Sequence, residues 1–314
     1  MAERIPGLFD EQSAAQILSD NDEYRVLRRL GVVSEYADLA GEDTGRGLVV
    51  DVETTGLHHH DDRIIEIGMV PFEYGVDTGS VGRVEAAISL FEDPGRELDP
   101  TITRLTGITD EMVAGQRIDD QVVGEQFKAA DIVIAHNAAF DRPFVEGRFG
   151  SVAGARWACS FREVPWEVYS YRCHKLACLL EDKCSVFFDG HRAGTDCLAL
   201  LHLLATPFPD AKLPMKLLLE SAHRDTVRIW ATGAPFAVKD LLKDRGYRWN
   251  PGENGEPKAW WREVFDSDEH AELAWLTDAV YEGAGGQWQL RRHDARSRYV
   301  GKTESRPGGS LAPR

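Results

Sequence analysis

Residues 48–56 read Leu48-Val49-Val50-Asp51-Val52-Glu53-Thr54-Thr55-Gly56, an apolar run that ends in two carboxylates and a polar turn. In a β-strand, side chains i and i+2 share a face, so a strand over 47–53 would project Asp51 and Glu53 together while Val50 and Val52 pack behind. Adjacent carboxylates repel unless a cation lies between them, and oxygen donors of this kind suit Mg²⁺ or Mn²⁺. The stretch therefore calls for more carboxylates, a proton acceptor and a substrate cleft elsewhere in the chain.

Downstream, Arg63 to Phe72 reads as a second strand and Gly82 to Phe91 as a third, an antiparallel meander. Between the first two, His58-His59-His60-Asp61-Asp62 reads as a solvated loop, since consecutive loop residues rarely converge on one ion. Thr101 to Val113 forms two helical turns around Gly107, with Thr109 or Asp110 capping the second. A helix over 121–130 leads into a short apolar strand ending at His136, so the sheet acquires parallel members. His136-Asn137-Ala138-Ala139-Phe140-Asp141 then places Asp141 in the first turn of a new helix, where an acid is ordinarily a partner for the helix dipole. Trp157 to Arg162 reads as a strand and Lys175 to Glu181 as a helix. Gly190-His191-Arg192-Ala193-Gly194-Thr195-Asp196 runs into a strongly apolar helix, with His191 on the loop before it.

Upstream, residues 1–46 read as an extension of short helices, over 13–18 and 22–30, closed by a polar linker from Gly41 to Gly47. Beyond residue 220 the pattern changes to a β-α-β-β-α unit over 221–283, with a hairpin across 252–257 and a closing helix over 268–281. Trp249, Trp260 and Trp261 lie near Lys243, Arg245, Arg248 and Lys258, which suits either a stacking platform for single-stranded nucleic acid or a small core. Trp260 and Trp261 must then face opposite sides of their strand. Residues 284–314, rich in Pro, Gly, Ser and Arg, read as a disordered basic tail.

The formal charge of −16 argues against tight duplex binding through a basic surface. It is concentrated at 47–220, which holds 16 basic and 28 acidic residues, against 15 and 14 over 221–314. The five cysteines are odd in number, so a disulfide framework is not expected. Buried thiols are favoured over a zinc site built from Cys173, His174 and their neighbours. No secretory hydrophobic segment and no run of about 18 apolar residues occur, which predicts a cytoplasmic protein without a membrane span.

Taken together, Asp51-x-Glu53, Leu105-Thr106-Gly107-Ile108-Thr109, His136 to Asp141 and His191 to Asp196 resemble the motifs of the DnaQ-like, DEDDh-type 3′–5′ exonucleases. The resemblance spans about residues 47–205 and fills all five catalytic positions. It implies a ribonuclease H-like mixed five-stranded α/β sheet flanked by helices, with an N-terminal helical extension and a small C-terminal α+β module. It also implies hydrolysis with two divalent ions, Mg²⁺ or Mn²⁺. Asp51, Glu53 and Asp196 would hold one ion with the attacking water. Asp51 would bridge to the second ion, and Asp141 would bind directly or through water. His191 would be the general base, a role that suits histidine near neutral pH. Thr54, Thr55, Gly56, Leu57, His136, Asn137 and Phe140 would meet the terminal nucleotide. The expected reaction releases nucleoside monophosphates from single-stranded or frayed 3′ ends. DNA is the favoured substrate. An RNA-directed exoribonuclease, or a proofreading or adaptor subunit binding a polymerase or repair partner through the C-terminal module, is the alternative.

Overall fold

A computed structural model describes residues 11–252, 255–283 and 286–300. Its elements run α1 (Glu11–Ser19), β1 (Arg28–Arg29), β2 (Thr44–Thr54), β3 (Ile64–Gly75), β4 (Val81–Val84), β5 (Ile88–Phe91), α2 (Pro100–Thr106), α3 (Asp110–Val113), α4 (Asp120–Ala129) and β6 (Ile132–Ala135). They continue with α5 (Ala138–Arg148), β7 (Trp157–Cys159), α6 (Ser160–Glu163), α7 (Leu176–Leu179), β8 (Val186–Phe187), α8 (Ala193–Ala205) and α9 (Pro214–Ala222). The last are β9 (Thr226–Ala231), α10 (Lys239–Asp244), β10 (Arg248–Asn250), β11 (Ala259–Phe265), α11 (Glu269–Ala279) and β12 (Trp288–His293).

The large sheet has the order β4-β3-β2-β6-β7, antiparallel from β4 to β2 and parallel from β2 to β7. This is the mixed, ribonuclease H-like architecture that the motifs imply. The predicted third strand is split: β4 and β5 both pair with β3 and share one edge, so six strands occupy five positions. Leu48, Val50 and Val52 pack on one face with Phe127, Phe144 and Val145 of α4 and α5. Val49 packs on the other face with Leu200, Leu203 and Leu204 of α8 and Leu218 of α9.

Several local readings need correction. Residues 22–30 form no helix. Their helical apolar spacing is overridden where β1 pairs in parallel with β8, and Arg25 and Arg29 bond to Asp182 and Asp189. The linker before the first strand is shorter than expected, because β2 already begins at Thr44. The strand from Trp157 stops at Cys159, whose N–H is capped by the Glu163 carboxylate as the chain turns into α6. The helix over 175–181 is a single α turn followed by a widened turn through Cys184. Cys173 and Cys178 are joined by a disulfide, while Cys159, Cys184 and Cys197 are free thiols.

The C-terminal unit is an antiparallel sheet of order β10-β11-β9-β12. Val227, Ile229, Ala231 and Val264 pack with Leu242 and Leu276 of the helices on one face. The expected disorder from residue 284 does not hold for 288–300. β12 completes this sheet on the free edge of β9, where a polar composition is compatible with a half-exposed edge strand. The chain then returns to the large sheet, where Ala295 accepts a hydrogen bond from the Trp157 N–H beyond β7. The buried Arg298 pairs with Glu163 at 2.9 Å, and buried Arg142 donates to the Arg296 and Arg298 carbonyls. Residues 301–314 of the expected tail lie outside the described residues.

Candidate active site

Alternation along β2 puts Asp51 and Glu53 in the row of Val49, the face turned toward α8. Directly across on β3, Asp51 faces Gly68. A Cβ at Gly68 would lie 2.2 Å from the Ala193 carbonyl carbon, so glycine lets the start of α8 rest on the backbone of β3. Asp196, in the first turn of α8, thereby meets the two strand carboxylates. Ligand oxygens of Asp51, Glu53 and Asp196 all lie within 4.8 Å of one another.

The fourth acid arrives from the other flank of β2, after its parallel neighbour β6. β6 ends at Ala135, and beyond His136 the left-handed Asn137 (φ 94°) turns the chain into α5. Asp141, buried in the first turn of that helix, accepts the Val52 N–H at 3.2 Å. It lies close enough to raise the Asp51 pKa but stands outside the three-carboxylate group. His136 is braced by the protein at both nitrogens, Nδ1 by the Ser160 hydroxyl (2.7 Å) and Nε2 by the His174 carbonyl (2.9 Å). Burial lowers its pKa to about 4, so it is neutral near pH 7. His191 is exposed on the loop before α8, at φ 65°.

Burial and mutual repulsion push this cluster upward together. Asp51 is raised well above the ordinary range by burial and then by Asp141, Asp196, Glu53 and Glu66. Burial and Asp196 raise Glu53 to about 8, with Arg192 a weaker opposing influence. Burial is also the main cause for Asp141 at about 7 and Asp196 at about 6. The Arg192 guanidinium cannot serve as the missing counter-charge, because it is forked onto Glu66. Carboxylate oxygens gathered at this spacing, part-buried and short of positive charge, fit a hard divalent cation.

The turn after β2 is organised by Asp62. Its carboxylate accepts the His58 N–H (2.9 Å), the Thr55 hydroxyl (3.0 Å) and Arg96 (2.9 Å). A Cβ on Gly56 would come within 2.5 Å of this carboxylate. The Thr54 hydroxyl bonds to the Gly56 carbonyl, and the Thr55 N–H bonds to the Arg63 carbonyl. Leu57 is left 78% exposed at the tip. Phe140 lies 5.0 Å from Phe144, which lines a cavity of about 860 Å³ with His59, Asp62 and Arg63. Among the described residues the histidine triplet joins no group able to hold a metal.

The aromatic residues of the C-terminal unit divide as alternation requires. Trp260 packs into the small core, while Trp261 lies on the opposite face under Arg228 (4.8 Å) and Arg248 (6.0 Å). The sequence reading missed Glu66, Asp62 and Arg96. The signal for Glu66 was present as one acid inside the apolar run Ile64-Ile65-Glu66-Ile67, but its partner lies far along the chain.

The exonuclease family RNase_T matches residues 48–204 of the chain, half its length. The chain is 34% identical over 170 residues to the PolC-type DNA polymerase III of Listeria innocua, covering 52% of this chain and 11% of that protein. It is 33% identical over 134 residues to the Thermotoga maritima counterpart, covering 42% and 9%. The chain thus spans about a tenth of the length of these curated relatives. Solved structures with a similar arrangement include a 3′-exonuclease described with a histone mRNA stem-loop, at 17% identity and TM-score 0.43, covering 56% of this chain and 68% of that one. Another is exonuclease X with 5′-overhanging duplex DNA, at 20% identity and TM-score 0.35, covering 54% and 99%. With the family match spanning the strand and both helix starts that carry the acids, and the loop that carries His191, the chain belongs to this exonuclease family, in keeping with the DnaQ-like, DEDDh-type resemblance of its motifs.

Proposed function

We propose that the chain removes nucleoside monophosphates from single-stranded or frayed DNA 3′ ends, using the carboxylate cluster as a metal-dependent hydrolytic centre. The observation that carries this reading is the meeting of Asp51, Glu53 and Asp196 within 4.8 Å, near an exposed His191. Two divalent cations, Mg²⁺ or Mn²⁺, held by Asp51, Glu53 and Asp196 with Asp141 alongside, would supply Lewis-acid stabilisation of the attacking and leaving oxygens.

The remaining work falls to residues of the chain. His191, on a loop open to solvent, accepts the proton of the attacking water. Leu57 offers an apolar surface to the terminal base, and Asn137 an exposed amide. Thr54, Thr55 and Gly56 hold the turn that receives the 3′ end. Phe140 backs that pocket, and His136 braces the segment beside it rather than reaching outward. Such contacts read a base's face rather than its edges, so base preference is modest. DNA is supported over RNA by relatives that are DNA polymerase chains, which also favours a proofreading setting in which the C-terminal unit meets a polymerase or repair partner. Among the described residues no helix is long and apolar enough to cross a membrane.

Digestion of 3′- and 5′-labelled DNA and RNA oligomers with Mg²⁺, Mn²⁺ or chelator tests the reading. Mononucleotides released from the 3′ label of DNA only with metal are expected. Faster digestion of RNA would move the substrate to the alternative, and products unaffected by chelator would sink the metal-dependent reading.

A further inference from the structure

Glu66 lies near the start of β3 with no solvent exposure, directly across from Glu53. A carboxylate in that position is costly unless it is both paired and hydrogen-bonded. Among the described residues, the hydrogen bonds of its carboxylate go to one short segment. Arg192 Nε donates to Oε2 at 3.1 Å, Arg192 Nη2 donates to Oε1 at 3.2 Å, and the Ala193 N–H donates to Oε2 at 3.2 Å. A forked guanidinium contact fixes direction as well as distance. From the other side, the Arg192 N–H donates to Asp196 Oδ2 at 3.0 Å, and Phe91 lies 5.4 Å from the guanidinium.

His191 is the residue immediately before this pinned segment, and its backbone is left-handed at φ 65°. For a residue with a Cβ that conformation is strained, and it persists where the surroundings over-determine it. With both its oxygens taken by Arg192 and Ala193, Glu66 stands outside the metal-holding group.

We propose that Glu66 and Arg192 form a clamp that sets the position of His191 beside the carboxylate cluster. Arg192 is then a positioning residue for proton acceptance, and Glu66 the anchor that aims it. The proposal rests on the reading of His191 as the general base.

The test compares Glu66→Gln and Arg192→Lys, each alone and combined with His191→Ala, in the full chain. The rate on a single-stranded DNA oligomer is measured at saturating Mg²⁺, with Mn²⁺ affinity measured separately. The His191 imidazole resonance, assigned by its loss in His191→Ala, reports the loop without using activity. Displacement of a proton acceptor by about 1 Å can cost up to about 100-fold, so kcat should fall about 10- to 100-fold while KM and Mn²⁺ affinity stay within about twofold. The loss should vanish in the His191→Ala background, and the His191 resonance should shift or broaden. An equal loss in that background, or a weakened Mn²⁺ affinity that accounts for it, overturns the clamp. So does an unmoved resonance in both variants. Full activity of His191→Ala instead removes the general-base reading, while the resonance still decides whether the clamp holds the loop. Because Arg192 is partly exposed, its lysine variant remains informative should Glu66→Gln fold poorly.

Discussion

Around the central strand β2 of the large sheet Asp51, Glu53, Asp141 and Asp196 gather with no guanidinium between them, whereas in the C-terminal sheet the buried and part-buried acids are held by arginines. Glu272 bonds to Arg245 at 3.1 Å and to Arg262 at 2.9 Å, and Glu263 bonds to Arg228 at 2.9 Å. Burial works against the Glu263 carboxylate, yet Arg228 and the Thr226 hydroxyl outweigh it and hold its pKa below the ordinary range. The cluster around β2 goes the other way, up to about 8 at Glu53. Both regions bury carboxylates, but only one completes the charge from its own residues. The paired acids serve folding, and the unpaired ones leave a place for a cation.

The largest effect should come from removing an unpaired acid. Asp51→Asn or Asp196→Asn should lower kcat by at least about 10³-fold, several kcal/mol of lost transition-state stabilisation, while the metal-free protein melts at a higher temperature than the parent. Full nuclease activity of either variant in excess Mg²⁺ would erase the contrast between the two regions.

His191→Ala comes next, with a fall in kcat of about 10²–10⁴-fold and little change in oligomer binding. A loss confined to binding, measured by fluorescence anisotropy with a non-hydrolysable strand, would take the proton-acceptor role away.

In the paired region, Glu272→Gln should cost about 1–3 kcal/mol in urea unfolding, because two arginines lose a buried charged acceptor. Its rate on short oligomers should match the parent. A slower rate at unchanged stability would tie the C-terminal unit to catalysis.

The smallest effect is the response of stability to pH. The pKa values of the clustered acids are raised in the folded state, so their contribution is full below the ordinary carboxylate range. It is lost as pH climbs through about 6 to 8. Mn²⁺ should therefore raise the melting temperature more at pH 8 than at pH 5.5, where it must displace more protons. Equal shifts at the two pH values would contradict the crowding of these carboxylates.

What was legible in the sequence was mostly local. The strand period of 48–53 and the helix starts at 137–141 and 193–196 each placed an acid from its own neighbours, and the motif order connected them. Features decided by distant partners were not legible. Residues 22–30 carry helical spacing but pair with 185–187, and the polar stretch 288–293 becomes a strand only because β9 offers a free edge. Glu66 is an isolated charge in an apolar strand, yet its meaning depends on Arg192, 126 residues further on. The bond between Cys173 and Cys178 likewise depends on how the loop folds, which an odd cysteine count argued against. Trp260 and Trp261 lay between these cases: alternation fixed their opposite faces, but the arginines around Trp261 come from two other strands.

The central claim is that the acids clustered around β2 lack a counter-charge that a divalent cation provides. Calorimetric titration of the purified chain with Mn²⁺ near pH 7.5, beside Asp51→Asn and Glu272→Gln, tests it most directly. The account predicts saturable binding in the parent and in Glu272→Gln, and its loss or severe weakening in Asp51→Asn. Equal binding by all three proteins would contradict it.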